Sequence, residues 1–382
     1  VSENGGENAM ELRPFALERW FGKYEFAVKY NIAESCIKPL TVSELEEVCK
    51  CDLLHTEEIA NLGYTDSRGT YELRSAIARL YPGRTADNVL VTTGAIEANY
   101  LVFVAFLQPG DLVITEFPAY QQLYEVPRAL GGEVRALNLR SESNYRPDIS
   151  ELDAMMATSR GKMIVINHPH NPTGASLDAG SMAAICEIAE QYDTILLSDE
   201  VYRGLTLTDG IATPSAQLFS DKAVTVGSMS KAFGLSGLRI GWIVGPRDVI
   251  ERCWEIRDYT SICPSGPSQA MALAALNNIG AIMARNVSLA RNNFSILSQW
   301  VSANSDIVSW VPPCEGVVAF VKYHVDADSV KIAGDLAEID SVLVIPGACF
   351  EVEGHFRIGF GGDSDILQEG LALISKRLRL QS

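Results

Sequence analysis

The sequence predicts an α/β protein: a mostly parallel sheet, covered on both faces by helices, joined to a smaller α+β unit. Three observations carry this. Between residues 71 and 244, short runs rich in Val, Ile and Leu alternate with stretches of helical spacing. Those runs are apolar on both faces, as strands inside a covered parallel sheet must be. Beyond Pro264 the order changes to a long helical stretch, several short strands and a closing helix, a pattern that needs a second layer arrangement of its own.

The elements follow in order. Tyr71–Leu80 has helical spacing and ends at Pro82-Gly83, and Asn88–Thr93 is a β-branched strand stopped by Gly94. Ile96–Leu107 is an apolar helix ended by Pro109-Gly110. Strands are expected at Leu112–Thr115 and Lys162–Asn167, then a helix at Ser181–Tyr192 leading into a strand at Thr194–Ser198. Ala223–Val226 and Ile240–Val244 have the same strand character. In the second unit, Ser268–Trp300 reads as one linking helix followed by another. Strands at Gly316–Lys322, Ser341–Ile345 and Phe356–Phe360 precede a helix at Ile366–Leu378. The domain division expected is residues 45–265 for the large unit, and 10–44 with 266–382 for the small one. Residues 1–9 are polar, lack the apolar core of a signal peptide, and read as a remnant ahead of Met10.

Composition narrows the function classes. The 382 residues are 47% hydrophobic and 21% charged, ample for a large core. Thirty-one Lys and Arg against 48 Asp and Glu give a net charge of −17, which repels phosphate backbones and anionic lipid. Neither a nucleic acid nor a membrane is expected as a partner, and no apolar run has the length of a membrane span. Eight cysteines lie scattered with no C-x-x-C pair, as expected of reduced thiols in a cytoplasmic protein. Five histidines offer no zinc-ligand spacing, the nearest pair being His168 and His170, so no metal is expected.

Four segments carry chemistry. In Thr92-Thr93-Gly94-Ala95-Ile96-Glu97-Ala98-Asn99 a strand ends, a glycine turns and a helix begins. Free N–H groups at a helix start can hold a phosphate, although a glycine there also serves turn geometry alone. In Asn167-His168-Pro169-His170-Asn171-Pro172-Thr173-Gly174, prolines and a glycine fix a turn that leaves Asn171 as a positioned donor. Asp199, in Ser198-Asp199-Glu200-Val201-Tyr202, is an acid at a strand mouth, costly to bury unless it meets a cation; helix capping is the plainer alternative. The fourth segment runs from Gly227 to Gly241 and holds Ser228, Ser230, Lys231 and Arg239. A lysine among small hydroxyl residues and glycines can lose its proton and attack a carbonyl, or simply stand solvated in a loop.

In this order the segments resemble the class I/II aminotransferases, the fold-type I enzymes that use pyridoxal 5′-phosphate. The similarity runs from about Tyr64 to Phe360, carried by N-P-T-G at 171–174, D-E-V-Y at 199–202 and S-x-S-K-x-F-G-L-x-G-x-R-x-G at 228–241. The resemblance implies the fold-type I architecture and a role for each matching residue. Lys231 would bond to the cofactor aldehyde and later carry the Cα proton, and Asp199 would pair with the pyridine nitrogen. Asn171 and Tyr202 would hold the ring oxygen, while Ala95, Ile96, Ser228, Ser230 and Arg239 would grip the phosphate. Tyr120 matches the aromatic that stacks on the ring, with a core tyrosine as the alternative. Tyr64 matches a tyrosine that reaches the phosphate from the other subunit, which implies a homodimer with shared sites. Arg357 matches the clamp for the α-carboxylate of an amino acid substrate.

The amino-terminal segment departs from the family pattern. Where a glycine-containing loop is usual, this chain reads Asn31-Ile32-Ala33-Glu34-Ser35-Cys36-Ile37-Lys38-Pro39-Leu40. With Trp20-Phe21 and the N-H-P-H-N-P-T-G-A loop, it looks more like the capreomycidine-synthase branch. That branch cyclises a hydroxylated arginine by losing water and letting a guanidine nitrogen add back. Glu34 would then bind the guanidinium, against an exposed loop acid as the alternative. Three readings result: an arginine cyclase or dehydratase of specialised metabolism, an ordinary aminotransferase with a 2-oxo acid acceptor, or a catalytically silent binding protein. The complete set Asn171, Asp199, Tyr202, Lys231 and Arg239 argues against the last.

Overall fold

The computed structural model describes residues 11–210 and 212–381; the expected remnant at 1–9 lies outside them. Seven short strands, all but the third apolar, form the large sheet: β1 (Val89–Thr92), β2 (Leu112–Phe117), β3 (Glu133–Asn138), β4 (Met163–Asn167), β5 (Ile195–Asp199), β6 (Val224–Ser228) and β7 (Gly241–Val244). Their spatial order is β1-β7-β6-β5-β4-β2-β3. β7 runs antiparallel to both of its neighbours, and the other neighbouring pairs are parallel.

Two departures from the sequence expectation have physical reasons. Ile240–Val244 has the composition of the parallel strands but runs the opposite way. The link from β6 holds only the lysine loop and a short turn at Ser236–Leu238, and without a crossover helix a chain returns antiparallel. β3 was not expected at all. It is one of the two edge strands, most of its residues are exposed or half-exposed, and Glu133 and Arg135 interrupt the apolar run.

Apolar side chains fill both faces of the sheet. Leu101, Val102 and Phe103 of the helix Ala95–Phe106 pack on one side with Ile250 and Cys253. On the other side lie Leu152, Met182 and Ile185, from the helices Ile149–Thr158 and Ala179–Gln191. The carboxyl ends of β1, β2, β4, β5 and β6 therefore open at one edge of the sheet, where ligands bind in such folds.

A second, antiparallel sheet contains β8 (Val308–Trp310), β9 (Val318–Tyr323), β10 (Ile345–Pro346) and β11 (His355–Gly359), in the order β10-β11-β9-β8. The expected strand Ser341–Ile345 is split. Val342–Leu343 pairs in parallel with Tyr30–Asn31, whereas Ile345–Pro346 joins β11; Pro346 has no N–H to extend the ladder. The long helical stretch is two helices, Gly266–Asn277 and Ile279–Ala303, broken at Asn278.

The amino-terminal helix Ala16–Tyr24 bridges the two sheets. The Ala16 N–H donates to Gln121 Oε1 at 2.8 Å and Arg13 Nε to Glu125 Oε2 at 2.7 Å, on the large-sheet side. Trp20 Nε1 donates to the Val344 carbonyl at 2.9 Å, and Tyr24 to Glu338 at 2.6 Å, on the other. Among the described residues, no helix is long and apolar enough to cross a membrane.

Candidate active site

At the end of β1 the chain turns through Gly94, whose φ of 84° and ψ of 167° favour glycine, and enters the helix Ala95–Phe106. A Cβ on Gly94 would lie 2.8 Å from Arg239 Nη2. One on Gly241 would lie 2.4 Å from the Gly94 carbonyl carbon. The two glycines thus bring a bare helix start, the first residue of β7 and a guanidinium together. Ser228 closes β6, and its Oγ accepts from the Ser230 N–H at 3.2 Å. Arg239 Nη1 donates to the Ser236 carbonyl at 2.9 Å and lies 3.5 Å from Ser230 Oγ. Free N–H groups, two hydroxyls and one guanidinium make a seat for a phosphate dianion.

Deeper in, Asp199 ends β5 and is buried. Burial pushes its carboxyl pKa up to about 6, while Asn99, the Val201 N–H and Lys231 work the other way. Asn99 Nδ2 donates to Asp199 Oδ2 at 2.8 Å. Lys231 reaches towards the amino-terminal segment, with Nζ 2.8 Å from Ser35 Oγ and 3.5 Å from Cys36 Sγ. Burial opposes its charge, but Cys36 and Tyr202 face it, and its pKa stays above the ordinary lysine value. The Tyr202 hydroxyl is buried without a partner.

A hydrogen-bonded chain joins this centre to the small sheet. Asn167 Nδ2 donates to the Asp199 carbonyl at 3.0 Å, and its Oδ1 accepts from the Asn171 N–H at 3.0 Å. Asn171 Oδ1 accepts in turn from Arg357 Nη1 at 3.0 Å. Arg357, on β11, donates its other Nη to the Ala33 carbonyl at 2.8 Å, and its Nε has no partner. Burial pulls its pKa down. His168 and His170 turn inward behind this chain, where His168 Nε2 lies 2.8 Å from Glu116 Oε1 and His170 Nε2 lies 2.9 Å from the Pro118 carbonyl.

The remaining wall comes from the amino-terminal segment. Glu18, Glu25 and Glu34 all line the cavity with Leu17 and Phe21. Burial, together with Glu34 and Glu18, raises the pKa of Glu25. Tyr120 donates to Glu18 at 3.2 Å and packs on Phe15 at 5.0 Å between ring centroids. The segment is held by its backbone. A Cβ on Gly359 would meet the Glu34 carbonyl oxygen at 1.8 Å, and one on Gly361 the Cys36 carbonyl oxygen at 2.1 Å.

One cavity of about 440 Å³ is lined by Glu34, Ala95, Ile96, Tyr120, Asn171, Asp199, Tyr202, Ser228, Ser230, Lys231, Arg239 and Arg357. Tyr64 is not among its lining residues; it is 87% exposed, beside Glu57, Glu58 and Asn61. Sequence reasoning missed Glu18, Glu25, Ser35, Cys36, Asn99, Gln122 and Asn167. Asn99 had a readable signal, an amide beyond the first turn of a helix that is otherwise apolar from Ala98 onward apart from Tyr100. Glu18 and Glu25 had none, because nothing in the sequence says which wall their helix faces. The cavity suits a flat phosphorylated heterocycle: a cradle that a Cβ would fill, an orphaned tyrosine hydroxyl, and a buried acid in the same chamber as a lysine.

The sequence model of the aminotransferase class I and II family matches residues 41–374. The chain belongs to this family. Pyridoxal 5′-phosphate is the cofactor that aminotransferases of this family use, and the residues above fit it. The chain is 33% identical to a capreomycidine synthase of Streptomyces vinaceus over 377 residues, 98% of this chain and 95% of that one. It is 38% identical to an arginine–pyruvate transaminase of Pseudomonas aeruginosa over 329 residues, 82% of each. Among solved structures it resembles a PLP-dependent aminotransferase of Streptococcus suis, with a TM-score of 0.93, 33% identity, and 97% and 99% of the two chains covered. It also resembles the PLP-dependent cyclase OrfR, with a TM-score of 0.89, 29% identity and all of both chains covered. This aminotransferase-family protein is an enzyme.

Proposed function

We propose that this enzyme cyclises or dehydrates a hydroxylated arginine. The observation that carries the reading is the cluster of three carboxylates, Glu18, Glu25 and Glu34, on the wall beside Arg357 and Lys231. A neutral or acidic substrate side chain gains nothing from such a wall. A guanidinium pairs with carboxylates bidentately, and it relieves the repulsion from Glu34 and Glu18 that adds to burial in raising the pKa of Glu25. The similarity to a capreomycidine synthase and to a cyclase supports the reading.

In this reading Arg357 and Asn171 hold the substrate carboxylate and fix the side chain's direction. Glu34, with Glu18 and Glu25, receives the guanidinium. When bound, the cofactor supplies a ring that withdraws electrons from the substrate's Cα. Asp199 keeps the ring nitrogen protonated, and Asn171 with Tyr202 donates to or orients the ring oxygen. Ala95, Ile96, Ser228, Ser230 and Arg239 hold the phosphate, and Tyr120 covers the ring. Lys231 carries the Cα proton, and Ser35, 2.8 Å from its Nζ, steers the amine towards the substrate side. Loss of the substrate hydroxyl as water and addition of a guanidine nitrogen then close the ring, with no amino group transferred. The exposed Tyr64 completes the phosphate seat of a second copy, so the working unit is a cytoplasmic homodimer. Residues 45–265 form its large unit, and 10–44 with 266–382 the small one.

Plain transamination is the second reading, favoured by the arginine–pyruvate transaminase relative. Incubation of the enzyme with a hydroxyarginine, followed by mass spectrometry, separates the two. Loss of one water without any added 2-oxo acid is expected. Accumulation of a keto acid that requires pyruvate or 2-oxoglutarate would establish transamination instead.

A further inference from the structure

We propose that the Asn99 and Gln122 side-chain amides form a positioning relay that holds the Asp199 carboxylate ionised and aimed into the cavity. The inference rests on the reading of Asp199 given above and adds two residues that no motif assigns.

Asn99 is 1% exposed on a helix whose inward neighbours are Ala98, Leu101, Val102 and Phe103. A buried amide among such residues costs stability unless all its groups are bonded, and the Asn99 Oδ1 has no partner. An aliphatic residue would pack there with less penalty, so the amide is not present for stability. What it does have is a 2.8 Å donor contact to Asp199 Oδ2.

The direction of that amide is fixed by its neighbour. Gln122 Nε2 donates to the Ile96 carbonyl at 2.5 Å, which leaves its Oε1 facing Asn99 Nδ2 at 3.5 Å. Turning Asn99 over would set its oxygen against both Gln122 Oε1 and a carboxylate oxygen. The relay therefore runs from the Ile96 carbonyl through two amides to Asp199: Gln122 donates to Ile96 and accepts from Asn99, which keeps the Asn99 Nδ2 turned to the acid as its donor. Hydrogen bonds of this kind favour the charged form, opposing the burial that raises the Asp199 pKa. Lys231 is the charged group acting on Asp199, and the Val201 N–H bonds its other oxygen at 3.3 Å.

The relay is also tied to the phosphate seat. Ile96 and Asn99 stand on the same helix whose start forms that seat, and Ala95 precedes Asn99 by about 6 Å of helix rise. One rigid element thus sets the distance between the phosphate end and the acid end of the cavity.

The test measures binding of pyridoxal 5′-phosphate to apoprotein between pH 5 and pH 8, for wild type and for Asn99→Leu, Asn99→Asp, Gln122→Met and Asp199→Asn. Affinity should fall as acid protonates Asp199. Asn99→Leu should weaken binding at pH 7 on the order of tenfold and move the midpoint of that fall to higher pH. Asn99→Asp, equal in size but facing Asp199 with a second carboxyl, should do worse than leucine. Gln122→Met should give a smaller change in the same direction, and it carries the test should the Asn99 variants not fold. Wild-type affinity and midpoint in the folded Asn99 or Gln122 variants, with Asp199→Asn impaired, would overturn the relay alone. Unimpaired Asp199→Asn would remove the reading of Asp199 and the relay with it.

Discussion

Arg357 Nη1 donates to Asn171 Oδ1 at 3.0 Å, joining β11 of the small sheet to the asparagine loop after β4 of the large sheet. The same guanidinium is held by the Ala33 carbonyl, and its Nε has no partner. It is therefore already turned and desolvated, with donor capacity left for an incoming carboxylate.

Replacing it by lysine keeps a positive charge but loses the planar fork. Arg357→Lys is expected to raise KM for the amino acid by roughly 30- to 100-fold, with a smaller effect on kcat. Steady-state kinetics over a wide substrate range checks this. Unchanged KM would place the carboxylate elsewhere.

The acid at 199 gives a pH signature to the apoprotein. Its pKa is about 6 in the fold against an ordinary 3.8, so the folded chain holds a proton that the unfolded chain has released. Stability from this group is fully present at low pH and declines as pH rises from about 4 to about 6. Asp199→Asn removes that slope. Melting curves of both apoproteins at pH 5 and pH 7.5 should show the wild type losing more on the way up, the comparison cancelling the effect of net charge. Parallel curves would mean an ordinary carboxylate.

The acidic wall predicts selectivity. Glu18→Gln and Glu25→Gln should each raise KM for a guanidino amino acid by roughly 3- to 10-fold, and leave that for alanine nearly unchanged. Losses of equal size for both substrates would make these residues structural.

Gly94 stands at a backbone conformation that costs a side chain about 1–3 kcal/mol, and its added Cβ would push on Arg239. Gly94→Ala should lower the melting temperature and weaken binding of inorganic phosphate to apoprotein. Arg239→Ala should weaken phosphate binding without that loss of stability, which separates the two contributions.

Much of this was legible in the sequence, for a local reason. Strands β1, β4, β5 and β6 are short apolar runs that end at threonine, asparagine, aspartate and serine, and the cavity is lined by the last residue of β4, β5 and β6 and by residues within four positions beyond these strand ends. Lys231, Asp199 and Asn171 could thus be named from chain position. Tyr120 and Arg357 needed the family resemblance, since neither a tyrosine after a strand nor an arginine within one signals a site by itself. The antiparallel course of β7 was hidden because strand direction depends on the connection and not on composition. Glu18, Glu25 and Ser35 were hidden because they share a cavity with Lys231 and Arg357, which stand more than 190 residues away in sequence.

The close approach of Gly359 and Gly361 to the carbonyls of Glu34 and Cys36 fixes the course of that stretch by main chain alone. Ser35 and Cys36 turn their side chains to Lys231, but the Glu34 side chain has no part in that hold. Exchanging residue 34 changes the chemistry presented to the substrate while the frame beneath keeps its place. A new preference for amino acids can arise here by single substitutions, with the cofactor seat untouched.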